Sequence, residues 1–315
     1  MLDTFWQKIG EGLAGEWNAR LLGPAFAFWG GGMAVWAMST PGGWDAISQL
    51  LAGMGVTLGV ALLIAGVFLL AISGGAAQWM STPFLRFWEG YWPGLLWKLR
   101  QRFTDSINRK VAEKEIEWSQ LADGLEQNRL DSQQYERYIR LDAELEDFPL
   151  DLNQRLPTRV GNTLRAAEEY PGRCYGLEIS TTWPRLWLSL PESTQKELTE
   201  ARQALSWSAQ LMLWGLLSIL WIFLAWWAFI PGLVVAVAGY QRMRSTADAY
   251  GQLLRSAYDL HRFALYEGLR WPPPSDPLIE KEIGAALTLY LKRNLPPEKL
   301  PPNNSKLIFK HPKDE

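Results

Sequence analysis

Between Arg20 and Arg86 the chain carries one charged side chain, Asp45, and between Arg202 and Arg242 it carries none. A helix needs about 20 apolar residues to cross about 30 Å of hydrocarbon. Both stretches are longer than that, so the sequence reads as an all-α integral membrane protein in which lipid solvates two long segments. The first divides at Ser39-Thr40-Pro41-Gly42-Gly43-Trp44-Asp45, where Pro and Gly favour a turn and Asp45 is costly in lipid. This predicts one span near Leu21 to Met38 and another near Leu50 to Ile72.

The second stretch, Gln203 to Gln241, would measure about 58 Å as a single helix. A hairpin is therefore expected, turning in Trp226-Trp227-Ala228-Phe229-Ile230-Pro231-Gly232. Charge placement favours the same reading, because Lys and Arg collect on the cytoplasmic side of short loops. Neither expected outer turn contains one, so four spans leave all 31 basic residues on one face. The expected organisation is a cytosolic amphipathic segment at 1–20, a first transmembrane hairpin at 21–72 and a central cytosolic helical domain at 73–201. A second hairpin at 202–241, a cytosolic helical extension at 242–293 and a flexible, Pro-rich tail at 294–315 follow. Both termini are then cytoplasmic, in a multi-pass protein of the inner (plasma) membrane. No cleavable signal is expected, since the apolar run starts only after Arg20 and ends at no small-residue cleavage site.

Composition narrows the function classes. One cysteine, Cys174, excludes an internal disulfide framework. With 31 basic against 33 acidic residues there is no case for nucleic acid. No glycine-rich nucleotide loop, Cys pair or metal-spaced His occurs, and only His261 and His311 titrate near neutrality. No cofactor, metal or catalytic residue is assigned on this basis. Many of the 18 Trp lie in or beside the apolar segments, as an interfacial belt requires.

Outside the apolar segments, Phe87 to Arg102 interleaves Trp and Leu with Lys98, Arg100 and Arg102, a composition suited to the membrane interface. From Phe103 to Phe148 apolar residues recur every three or four positions, with a break near Asn128 to Asp131, predicting two antiparallel helices with charged outer faces. Thr158, after Pro157, reads as a helix cap. Arg159 and Arg165 stand at ion-pairing spacings from Glu168 and Glu169. With Asn162, Arg185, Asp259 and Arg262 they form a candidate polar junction or anion site: an arginine cluster beside a helix start can hold a phosphate or carboxylate, or its members can pair with one another. Beyond Arg242, Met243, Ala247, Tyr250, Leu254, Ala257, His261 and Leu265 recur at helical spacing, extending the last membrane helix as a rod. Trp271-Pro272-Pro273-Pro274 ends that rod before a short helix from Pro277 to Leu291.

The runs Pro157 to Glu168, Tyr175-Gly176, Trp183-Pro184-Arg185-Leu186 and Ala257-Tyr258-Asp259-Leu260-His261-Arg262 resemble a group of bacterial multi-pass membrane proteins of uncharacterised activity. The resemblance covers residues 150 to 270 and implies a membrane hairpin between the third and fourth of these motifs and a bacterial origin. It brings no activity with it.

Two non-enzymatic classes follow. In the first, the protein is an oligomeric scaffold or anchor, with Gly55 and Gly59 packing helices closely and the cytosolic helices presented to a protein partner or a second copy. In the second, it is an oligomeric channel or membrane-disrupting pore. The spans hold no ionisable residues, which ion pathways normally place there, so the scaffold ranks first. An enzyme acting through paired carboxylates without a motif is the third reading.

Overall fold

In the computed structural model, residues 17–53 and 55–293 are described. The expected amphipathic segment Phe5 to Trp17 lies outside them except for its last residue, as does the expected tail 294–315. Among the described residues the fold is all-helical, with no strand. The helices are α1 (Trp17–Ser39), α2 (Gly43–Gly53), α3 (Val56–Glu89), α4 (Trp97–Glu126), α5 (Ser132–Leu145), α6 (Arg159–Tyr175), α7 (Ile179–Ser189), α8 (Glu192–Ser218), α9 (Phe229–Gly268) and α10 (Pro277–Arg293). The described residues divide into two compact units, one of residues 17–87 with 203–246, the other of residues 88–202 with 247–293.

In the first unit, α1 covers the predicted first span. The predicted second span is altered: the expected turn falls at positions 40–42, a short helix, α2, follows it, and α3 starts only at Val56 and runs on to Glu89. Gly53 and Gly55 flank the break, whereas nothing between Val56 and Arg86 stops a helix, and Pro83 sits within its last turns. α1 packs against α3 and α8. Trp29 Nε1 donates to Ser73 Oγ at 3.3 Å, and Ala25, Ala77, Leu213 and Trp214 share a core with Phe28, Leu70, Phe84 and Leu217. The Phe28 ring lies 5.3 Å from Trp214 and 5.0 Å from Trp221.

α8 and α9 fold back on each other through two short 3-10 turns, Ile219–Phe223 and Trp226–Ala228, so the expected hairpin forms and its reversal starts slightly earlier than predicted. The pairing is antiparallel and close. Ser208 faces Thr246 at 3.4 Å between hydroxyls. A Cβ on Gly239 would lie 2.6 Å from the Met212 nitrogen, and one on Gly215 would strike the Ala236 backbone. These registers, with Trp29 beside Ser73, bring positions 20, 86 and 242 toward one end of the unit and the Ser39–Gly42 and Phe223–Ala228 turns toward the other. From Arg20 to Ser39, α1 rises about 28 Å at about 1.5 Å per residue.

Two helical stretches, within Val56–Glu126 and within Glu192–Phe223, are long and apolar enough to cross a membrane. Where four spans are expected, α1 is diluted by Pro24 and Gly30-Gly31-Gly32, and the apolar part of α9 reaches only to Tyr240. The two stretches also differ in cover: none of the apolar window of the first is buried, against 44% of the second.

The second unit is built on the rod predicted after Arg242. Along its part of α9, Ala247, Tyr250, Leu254, Ala257 and Leu265 are buried as the spacing requires, and His261 is half-buried. Trp183, Tyr258 and Tyr266 are the largest fully buried side chains of this core. α4 and α5 form the expected charged hairpin. Asp131 caps α5 by accepting from Gln134 N at 2.7 Å, while the Gln134 side chain accepts from Asp131 N, a reciprocal arrangement that satisfies two otherwise unpaired donors. Lys114 pairs with Glu144 at 2.5 Å and Arg137 with Glu117 at 2.7 Å. Their carboxyls are held below the usual range by hydrogen bonds from those cations.

Candidate functional site

The predicted polar residues fall at two ends of α6 and on α7, all in the second unit. At the N-terminal end, Thr158 caps α6 as expected, its hydroxyl accepting from Gly161 N at 3.1 Å. Asn162 is fully buried and clamps the preceding loop: Oδ1 accepts from Leu156 N at 2.7 Å, and Nδ2 donates to the carbonyls of Leu156 and Thr158, each at 2.8 Å. Gly161 lies so close to the Glu89 carbonyl that any Cβ would overlap it. Arg165 pairs with Glu168 at 3.2 Å, the predicted partner, and also with the Gln154 side chain. Arg159 instead reaches back to Asp147 at 3.2 Å. Burial and the neighbouring Asp248 push the Asp147 carboxyl up against the pull of Arg159. The Glu169 carboxyl is also raised, by burial, against the opposing charge of Arg165.

At the C-terminal end, Asp259 and Arg262 on α9 meet Tyr175 on α6 and Glu280 on α10. Tyr175 donates its hydroxyl proton to Asp259 Oδ1 at 2.6 Å. The Arg262 guanidinium lies 4.3 Å from the centre of the Tyr175 ring and donates Nε–H to Glu280 Oε1 at 2.6 Å. Burial, then the Asp259 hydrogen bond, drive the Tyr175 phenol well above its ordinary range, so it is a proton donor and not a base. Burial opposes the charge on Arg262, but the Glu280 carboxylate more than compensates and raises it. Nearby, Thr288 of α10 donates to the Gly176 carbonyl at 2.9 Å and accepts from Glu178 N at 3.1 Å. Gly176 ends α6 in the left-handed region, φ 69°, and a side chain there would collide with the Lys281 carbonyl.

Arg185 joins neither group. It lies exposed on α7 and donates to the Thr181 carbonyl at 2.6 Å. The structure thus brings Asn162, Arg165 and Glu168 to one end of α6, with Arg159 tied to Asp147, and brings Asp259 and Arg262 together at the other. Arg159, Arg165 and Arg262 each have a carboxylate of this chain. Tyr175, noted in the sequence only as part of the Tyr175-Gly176 motif, and Glu280, not singled out there, complete the second cluster. The signal for Glu280 was its spacing with Ile283, Gly284, Leu287 and Thr288, one helical face that α10 buries. Arg155, also missed, is 4% exposed and bonds Glu115 at 2.6 Å and the Pro149 carbonyl at 2.9 Å. Chemically, the first group pins the loop before α6 to that helix, and the second ties α6, α9 and α10 together through one guanidinium and two carboxylates. No group of His, Cys, Asp and Glu able to hold a metal ion occurs among the described residues.

Gly55 and Gly59 stand apart, in the first unit. Gly55 falls just before α3, its carbonyl accepting from Gly59 N at 3.0 Å. Among the described residues, nothing from another element lies within 4 Å of a Cβ built on either. Comparison with protein-family models, with curated proteins and with solved structures finds no match.

Proposed function

We propose that the protein is a multi-pass membrane anchor, crossing four times with both termini cytoplasmic, that self-associates or binds a protein partner and presents its charged helical unit in the cytosol. The observation that carries this reading is the N-terminal half of α3. From Val56 to Ile72 it is apolar all round and almost wholly exposed. A helix with no polar face is stable when lipid or other apolar helices surround it. The registers of the first unit support four crossings, since about 28 Å separates its basic end from its turn end, close to one hydrocarbon thickness.

The scaffold reading is supported over a pore by the apolar segments themselves, which hold no ionisable residue within the expected spans, where ion pathways normally place them. Gentle detergent extraction followed by mass measurement of the native particle tests the proposal. A complex heavier than one chain, stable on dilution, is expected; a monodisperse 35.8 kDa species with no partner contradicts the scaffold. Ion conductance in planar bilayers would favour the pore.

A further inference from the structure

We infer that the segment from Trp92 to Phe103 is a docking surface for anionic phospholipid headgroups. The inference rests on the membrane reading above and adds the chemistry of the lipid.

Leu95, Leu99 and Phe103 recur every fourth residue across the 3-10 turn Gly94–Leu96 and the start of α4, so they share one face. Trp92 joins it, its ring packed edge-on to Phe103 at 5.6 Å. Leu95, Leu99 and Phe103 stay open among the described residues, at 93%, 43% and 48% exposed. The reason is length. α5 has 14 residues against 30 in α4, and its ties, Lys114 to Glu144, Glu117 to Arg137 and the Trp118 ring on Tyr138, all fall beyond position 113.

Cations flank the stripe on both sides. At about 100° per residue, Lys98 and Arg102 fall along one margin and Arg100 along the other. All three are exposed, and none has an ion-pair partner among the described residues. Charge along α4 is divided in the same sense: positions 97–112 hold five basic residues and one acidic, positions 113–126 one basic and five acidic. The N-terminal end also carries the positive end of the helix dipole. An apolar stripe between cationic margins is the pattern of a helix lying in the headgroup layer, with Lys and Arg stems reaching from apolar surface to phosphate. Anionic lipid is the occupant because the patch is cationic and because it follows, by a few residues, the apolar helix α3.

The test uses the full-length chain with Cys174→Ser, spin-labelled at Leu95→Cys and, separately, at Leu63→Cys within α3. The protein is reconstituted in phosphatidylcholine vesicles with and without added phosphatidylglycerol, and the label's access to dissolved oxygen and to a water-soluble nickel chelate is compared. The Leu95 label is expected to pass from water into the interface when phosphatidylglycerol is present, and to return at high salt. Each cation near an anionic surface changes the docked-to-free ratio about fivefold, so Lys98→Gln, Arg100→Gln and Arg102→Gln together lower it about 100-fold. A Leu95 label that stays in water in both lipids overturns the inference, as does one sheltered equally in both and insensitive to the triple change. Shelter in detergent alone would assign the surface to protein and also overturn it. The Leu63 label separates the two failures: if it reports lipid while Leu95 does not, the membrane reading stands; if it reports water, that reading falls first.

Discussion

The two predicted membrane hairpins solve the same problem differently. The second buries its glycines against its own return helix, so that Gly215 and Gly239 touch the backbones of Ala236 and Met212. The first leaves Gly55, Gly59 and Gly66 with nothing from another element within 4 Å of a Cβ among the described residues, and exposes most of α3 from Val56 to Ile72, Leu70 packing into the core. Close backbone approach is how small residues associate helices where lipid removes the hydrophobic drive. One hairpin therefore has its partner within the chain. Under the proposed membrane reading, lipid or another chain covers the exposed part of α3.

The largest effect is expected where a side chain must enter a filled contact. Gly215→Leu places its branch in the Ala236 backbone, and a loss of more than about 3 kcal/mol, seen as a collapse of thermal stability in detergent, is expected from overpacking against atoms that cannot rotate away. A variant as stable as the parent would break the comparison. Glu280→Gln is next. Arg262 and Glu280 are 17% and 8% exposed, and leaving the guanidinium half-paired costs about 3 kcal/mol, with hydrogen exchange in α10 rising first.

Smaller effects come from pH and separate the two kinds of tie in the second unit. The lowered carboxyls of Glu144 and Glu117 contribute stability above about 4.5 that is lost as pH falls through their folded values, so acid loosens the α4–α5 hairpin. Tyr175 runs the other way: its raised phenol contributes stability below about 10 that is lost as pH rises, so alkali loosens the α6–α9–α10 cluster. Amide exchange across the pH range checks both signs. The smallest effect on the single chain is Gly59→Ala, within about 0.5 kcal/mol. Its effect on self-association is the sharper reading, because a methyl at a small-residue helix contact weakens the complex while the chain remains folded.

Features set by neighbouring residues were legible in the sequence. The Thr158 cap, the break before Ser132, the rod of α9 and the α10 helix after Pro277 all depend on local spacing or capping, and the structure has each near its expected place. Partners set by distant packing were not. Nothing near Arg159 points to Asp147, twelve residues back, in preference to Glu168, and Arg262 finds Glu280 only because α10 folds onto α9. The glycines show the same division. Gly55 and Gly59 stand out by spacing, whereas Gly215 and Gly239 belong to different helices and each meets the backbone of the facing helix only when the chain reverses at 219–228. The turn at Pro41-Gly42-Gly43 was legible, whereas the second interruption, between α2 and α3 beside Gly53, was missed because the apolar run around it hid the break.

The central claim is that both hairpins cross the membrane and return to the side that holds the basic residues. Single cysteines at Thr40, Ala225 and Lys110, in a Cys174→Ser background, test it directly with a membrane-impermeant maleimide applied to intact spheroplasts. The account predicts labelling of Thr40→Cys and Ala225→Cys before lysis and of Lys110→Cys only after it. Labelling of Lys110→Cys from outside, protection of Ala225→Cys until lysis, or recovery of the chain in the soluble fraction would contradict it.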